Sequence, residues 1–213
     1  MIKQEQLKGF TLLELLIVIA ILSILAMSLI LVLNPAETLK KSRDTQRMTD
    51  LSTLKTAIGL YLANVTSPFL TQADNARCVG GTGAATVFYS GSVTDNTIAA
   101  GFVAESTNAG VGSVDGNGWL PINLGAISSG APISNFPLDP VNSAANGAST
   151  AVTITDEALV YRYSCNATGF TYEVDANLES TELSVKEGSD GGNNDFLYEI
   201  GTKLDILPTS QDF

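Results

Sequence analysis

From Phe10 to Leu33 the chain runs 24 residues with a single ionisable side chain, Glu14. A helix of that length spans about 36 Å at ~1.5 Å per residue, enough for a hydrocarbon core of ~30 Å. Seventeen of the 24 residues are Phe, Leu, Ile or Val. At roughly −0.3 to −0.6 kcal/mol each they favour insertion by about 5–10 kcal/mol. A carboxylate at mid-membrane costs roughly 2.5–3.5 kcal/mol and less near a helix end, so insertion wins with Glu14 in place. A secretory signal has an apolar region of only ~7–15 residues before its cleavage site. Here the small-residue stretch around Ser23 and Ala26 lies inside the run. A single-pass membrane anchor is the reading that apolarity alone supports.

The start of the run adds detail. A short polar leader carrying Lys3 and Lys8 ends at Gly9, Phe10 follows, and an acid stands at Glu14 before the unbroken apolar stretch. This resembles the prepilin processing signal of type IV pilins and type II secretion pseudopilins. The resemblance implies cleavage by prepilin peptidase between Gly9 and Phe10, N-methylation of Phe10, and an assembly role for Glu14. An ammonium group left on Phe10 among packed helices needs a counter-charge, because an unpaired buried ion costs several kcal/mol. Glu14 of the same or of a neighbouring subunit would supply it. The implied partners are further copies of the chain in a helical filament, the peptidase and a membrane assembly machinery. The implied location is the cytoplasmic membrane, single-pass with an exported C-terminal domain, then an extracellular or periplasmic filament. The alternative from another class is a membrane-anchored exported binding domain that forms no filament.

Charge is unevenly placed. The net value is −11, yet up to Phe69 there are seven Lys or Arg against five acids, and from Leu70 onward four against seventeen. The acidic outer part argues against nucleic acid as its ligand. Lys40, Lys41, Arg43 and Arg47 follow the apolar run more densely than Lys3 and Lys8 precede it. By the positive-inside rule they would hold the large domain in the cytoplasm. The resemblance and the two extramembrane cysteines favour export instead. The basic residues alternate with Glu37, Asp44 and Asp50 and are read as subunit contacts.

The expected fold is α+β and pilin-like: a long N-terminal helix packed on a C-terminal antiparallel sheet, with a long loop-rich insertion. The expected division is a leader over 1–9, a transmembrane or filament-core helix over 10–33, the amphipathic half of that helix over 34–66, and a globular head over 67–213. Asn34-Pro35 predicts a kink or loosening, since proline removes a helix hydrogen bond. Pilin-like chains bend about four residues earlier, where Leu31 stands here. Met48, Leu51, Leu54, Ile58, Tyr61, Leu62 and Val65 recur at helical spacing and mark a face to be covered, with Asp44, Arg47 and Asp50 on other faces. Unbroken, Phe10 to Val65 would reach roughly 84 Å.

Ser67-Pro68 ends the helix. Strands are expected around 86–89, 97–103, 159–164, 170–175 and 195–200, the last three as an antiparallel meander with one face on the helix and the other wet. Phe136-Pro137-Leu138-Asp139-Pro140 resembles the sheet entry of major pseudopilins. Trp119, within the apolar island 118–124, reads as a core plug rather than a binding aromatic. Glu173, Asp175, Glu179 and Glu182 read as a solvated edge.

Cys78 and Cys165 are either two reduced core thiols or a disulfide pinning the long loop to the sheet, and an exported setting favours the disulfide. The chain has no His, no CxxC, no nucleophile–base pair and no phosphate loop, so it is not expected to be an enzyme. No cofactor is demanded. One candidate metal set is Asp190, Asn193, Asn194 and Asp195, hard oxygens on a Gly-rich turn that suit calcium, although the EF-hand spacing is absent. The bland alternative is an ordinary turn. Some major pseudopilins bind calcium in this region.

Overall fold

The computed structural model describes residues 9–91, 101–106, 111–142 and 158–209. By internal contacts the chain divides into two units, up to Leu39 and from Lys40 onward.

In the first unit, helix α1 spans Leu12–Leu33. It starts with a capping box. Thr11 Oγ1 accepts the Glu14 amide at 3.2 Å, and Glu14 Oε2 accepts the Thr11 amide at 3.0 Å and its hydroxyl at 2.7 Å. Ser23 and Ser28 donate their hydroxyls back to the carbonyls of Ile19 and Leu25, so neither leaves an unmet polar group on the apolar surface. The helix ends at Asn34, which takes the left-handed conformation with φ 38°. Asn tolerates that region, and Pro35 can occupy the first position of a new helix because its missing N–H would be unmet there anyway. Helix α2 then spans Pro35–Asn64, with Asn34 Oδ1 accepting the Glu37 amide. The expected single helix is therefore two, broken where proline forbids continuation.

In the second unit, α2 buries a stripe of Asp44, Arg47, Leu51, Leu54, Ala57, Ile58 and Tyr61. The spacing of these residues keeps them on one face. Tyr61 closes the turn that follows: its hydroxyl accepts the Phe69 amide at 2.8 Å and donates to the Phe69 carbonyl at 3.1 Å.

Strands β1 (Ala85–Tyr89), β2 (Phe102–Ser106), β3 (Tyr161–Asn166), β4 (Thr171–Ala176) and β5 (Tyr198–Gly201) form one sheet in the order β2-β1-β3-β4-β5. β3, β4 and β5 are the expected antiparallel meander, and β1 adds antiparallel to β3. β2 pairs parallel with β1, which the strand pattern did not anticipate. It runs over 102–106; residues 97–100 of the expected strand lie outside the described residues.

Register fixes the two faces. Phe88, Tyr163, Val174 and Ile200 stand side by side across four strands and pack on α2 with Leu51, Leu54, Ile58 and Tyr61. Trp119 plugs this core, its indole N–H donating to the Pro137 carbonyl at 3.0 Å and its ring tilted against Tyr161. The opposite face is covered rather than wet. Val87, Tyr89, Ala104, Val160, Leu197 and Leu207 form a second buried cluster there. The amides of Ile206 and Leu207 both bond Glu173 Oε2, at 2.6 and 3.0 Å, so the segment after β5 lies back over the sheet.

Cys78 and Cys165 form a disulfide, both wholly buried. It fastens the loop after α2 beside β3, where the Val79 amide bonds the Cys165 carbonyl and the Ala167 amide bonds the Val79 carbonyl.

Candidate functional site

The N-terminal segment is the first candidate. Gly9 and Phe10 precede α1 and are exposed, and residues 1–8 lie outside the described residues. Among the described residues, α1 is the one helix long and apolar enough to cross a membrane. None of its residues from Leu12 to Ile30 is buried. Large side chains such as Leu12, Ile24 and Met27 stand more than two-thirds exposed, a continuous apolar surface that needs lipid or other helices around it. Glu14 sits in the first turn, where its carboxylate also serves the cap.

The basic cluster after the apolar run has a different use from the one expected. Arg47 is wholly buried and forks onto Asp139, with Nε to Oδ2 at 2.5 Å and Nη2 to Oδ1 at 3.0 Å. It also reaches Asp44 Oδ1 at 2.7 Å and Glu179 Oε1 at 2.7 Å. Asp44 in turn accepts the amides of Glu179 and Ser180 at 2.9 and 2.7 Å. Arg43 makes a second fork onto Glu179, and Lys41 pairs with Glu182. Arg43 and Arg47 are thus committed within the chain. They tie α2 to the segment 136–142 and to the turn after β4, which corrects the reading of them as subunit contacts. The hydrogen bond from Arg43, opposed by burial, holds the Glu179 carboxyl below its ordinary range.

The third site was hidden by the expectation of a wet face. Glu173 and Asp175 are wholly buried on the covered side of the sheet, not on a solvated edge. Tyr89, Arg162, Asp175 and Glu199 form one cross-strand row, and Glu173 stands two residues before Asp175 on the same face. Glu173, Asp175 and Glu199 each bring a carboxylate oxygen within 4.8 Å of the others. Burial, then the neighbouring carboxylates, pushes Asp175 well above the usual carboxylate range. Burial likewise raises Glu173 and Glu199. The alternation Tyr-Arg-Tyr-Ser and Tyr-Glu-Val-Asp located the two faces, but nothing local to it announced the segment that covers the polar one.

In the loop 190–195, Asp190 spends Oδ1 on the Gly192 amide at 2.9 Å and Oδ2 on the Glu199 amide at 2.7 Å. Asn194 Oδ1 accepts the Phe196 amide, Asn193 donates to the Leu207 carbonyl, and Asp195 is exposed. Much of the expected donor set is therefore engaged in building the turn and anchoring β5.

These features define an α+β chain: an apolar N-terminal helix, then a helix on a mostly antiparallel sheet. Residues 8–30 match the family model of the prokaryotic N-terminal methylation motif, which supports a type IV pilin-like family and processing by a prepilin peptidase. That motif marks structural pilin-type proteins rather than an enzyme family. Neither the curated proteins nor the solved structures gave a match to this chain.

Proposed function

We propose that this chain is a structural subunit of a type IV pilus-like or type II secretion pseudopilus filament, cut between Gly9 and Phe10, methylated on Phe10 and assembled through α1. The observation that carries this reading is the coincidence of the methylation motif at residues 8–30 with an apolar helix that buries none of its residues from Leu12 to Ile30. Before assembly that helix holds the chain in the cytoplasmic membrane, with the head exported. In the filament the same surface packs on copies of itself, and Glu14 neutralises the terminal charge of a neighbour's Phe10. The work of such a subunit is mechanical: it adds length to a shaft and gives it back.

Mass spectrometry of the membrane-extracted chain tests the first step. The expected product begins at N-methylated Phe10. A chain that keeps Met1 through Gly9 in cells containing a prepilin peptidase would instead be a membrane-anchored exported domain.

A further inference from the structure

We propose that Glu173, Asp175 and Glu199 bind one hard divalent cation on the covered face of the sheet, through side chains other than the 190–195 donor set and independently of the filament reading. Each of the three side chains is at most 2 % exposed. Glu173 is held through Oε2 by the Ile206 and Leu207 amides, and its Oε1 has no hydrogen-bond partner. Glu199 is held through Oε2 by the Asn194 amide at 3.1 Å, and its Oε1 likewise has none. Asp175 is the sharpest case, wholly buried with both oxygens unpartnered. Two carboxylates are thus fixed from behind by backbone amides, and a third, entirely unmet, completes the group.

Buried polar atoms are almost always paired, so a run of unmet carboxylate oxygens in one place points to an absent counter-charge. Arg162 stands opposite Asp175 in the register, and a single guanidinium leaves the three carboxyl groups short of positive charge that a divalent cation would supply. All the donors are carboxylate oxygens, with no sulfur or nitrogen, which selects hard cations over zinc or copper. The three oxygens lie within 4.8 Å of one another, a separation that ligands of one such ion can have. Glycine at 192 belongs to the same device, since a Cβ there would overlap the Glu199 carboxylate.

The test uses the full chain in detergent, stripped with a chelator and titrated calorimetrically with calcium and separately with magnesium. Asp175→Asn, Glu199→Gln and Asp195→Asn are measured alongside it. The expected result is saturable binding of one cation per chain, and loss of that binding in Asp175→Asn and Glu199→Gln but not in Asp195→Asn. Both neutralising variants relieve repulsion among buried acids, so their stripped forms should melt no lower than the stripped parent. That comparison separates loss of a ligand from loss of the fold. The proposal is overturned if the parent binds neither cation saturably, if Glu199→Gln and Asp175→Asn bind as the parent does, or if Asp195→Asn alone abolishes binding.

Discussion

Arg47 and Asp139, 92 positions apart in the chain, meet as a two-pronged fork at 2.5 and 3.0 Å with neither side chain exposed. The geometry gives the Pro-Leu-Asp-Pro stretch a physical meaning. Asp139 also accepts the amides of Val141 and Asn142, so one carboxylate both shapes its own turn and receives the guanidinium from α2. Arg47 then carries the connection onward to Asp44 and Glu179.

Removing one member of such a group strands the others. Arg47→Met should destabilise the folded chain by about 3–5 kcal/mol, because Asp44 and Asp139 stay buried without their counter-charge. Asp139→Asn should cost less, since an amide oxygen can still accept part of the same set. The double variant should cost less than the sum, because once the guanidinium is gone the carboxylate no longer gains from being charged. Urea unfolding of the detergent-extracted chain measures all three, and strict additivity would mean that the two residues act independently.

The sequence made α2 and the meander legible because both are written locally. Leu51, Leu54, Ile58 and Tyr61 keep a helical period, and Tyr161, Tyr163, Tyr172 and Val174 keep a period of two. A disturbance at Asn34-Pro35 was legible from one proline, but as a kink in one helix rather than the break between two that forms there. What could not be read was whatever depends on partners distant in sequence. Arg47 looked like a surface charge because nothing near it names Asp139. Glu173 and Asp175 looked solvated because the covering residues, Ile206 and Leu207, come some thirty positions later in the chain. The parallel pairing of β2 had the same origin, since strand direction is set by the connection rather than by the strand.

The pH response of the Arg43–Glu179 contact has a definite sign. Glu179 has a folded pKa below its ordinary value of 4.5, chiefly through the hydrogen bond from Arg43. A depressed acid contributes stability that is present above the unfolded pKa and is lost as pH falls through the folded one. The wild-type chain should therefore exceed Glu179→Gln in melting temperature by a constant, modest margin near neutrality. That margin should shrink once the pH drops below about 4.5. Melting curves of both chains from pH 7 to pH 3 decide the matter, and a margin that grows on acidification refutes the assignment.

The disulfide closes a separation of 87 residues. In the chain-entropy account such a closure stabilises by roughly 4–5 kcal/mol. Replacing both Cys78 and Cys165 by Ser should remove about that much and should loosen the loop after α2 before it affects the helix itself. Unreduced, denatured protein should titrate with no free thiol. Two reactive thiols per exported chain would show that the bond does not form where the protein works.

Glu14 carries two jobs that one substitution cannot separate, and a pair of variants can. Its carboxylate closes the capping box with Thr11, and in the proposed filament it also meets a terminal ammonium. Glutamine at the same position can still accept the Thr11 amide, because Gln serves a capping box as Glu does, but it brings no charge. Alanine loses both. If charge pairing drives assembly, Glu14→Gln and Glu14→Ala should both insert, both be cleaved after Gly9, and both yield few filaments. Should the cap be what matters, Glu14→Gln would assemble normally and Glu14→Ala alone would fail. Cleavage state by mass spectrometry and filament yield by shearing and electron microscopy give the two readouts. Normal assembly of Glu14→Gln would end the pairing account and leave Glu14 as the residue that starts the helix.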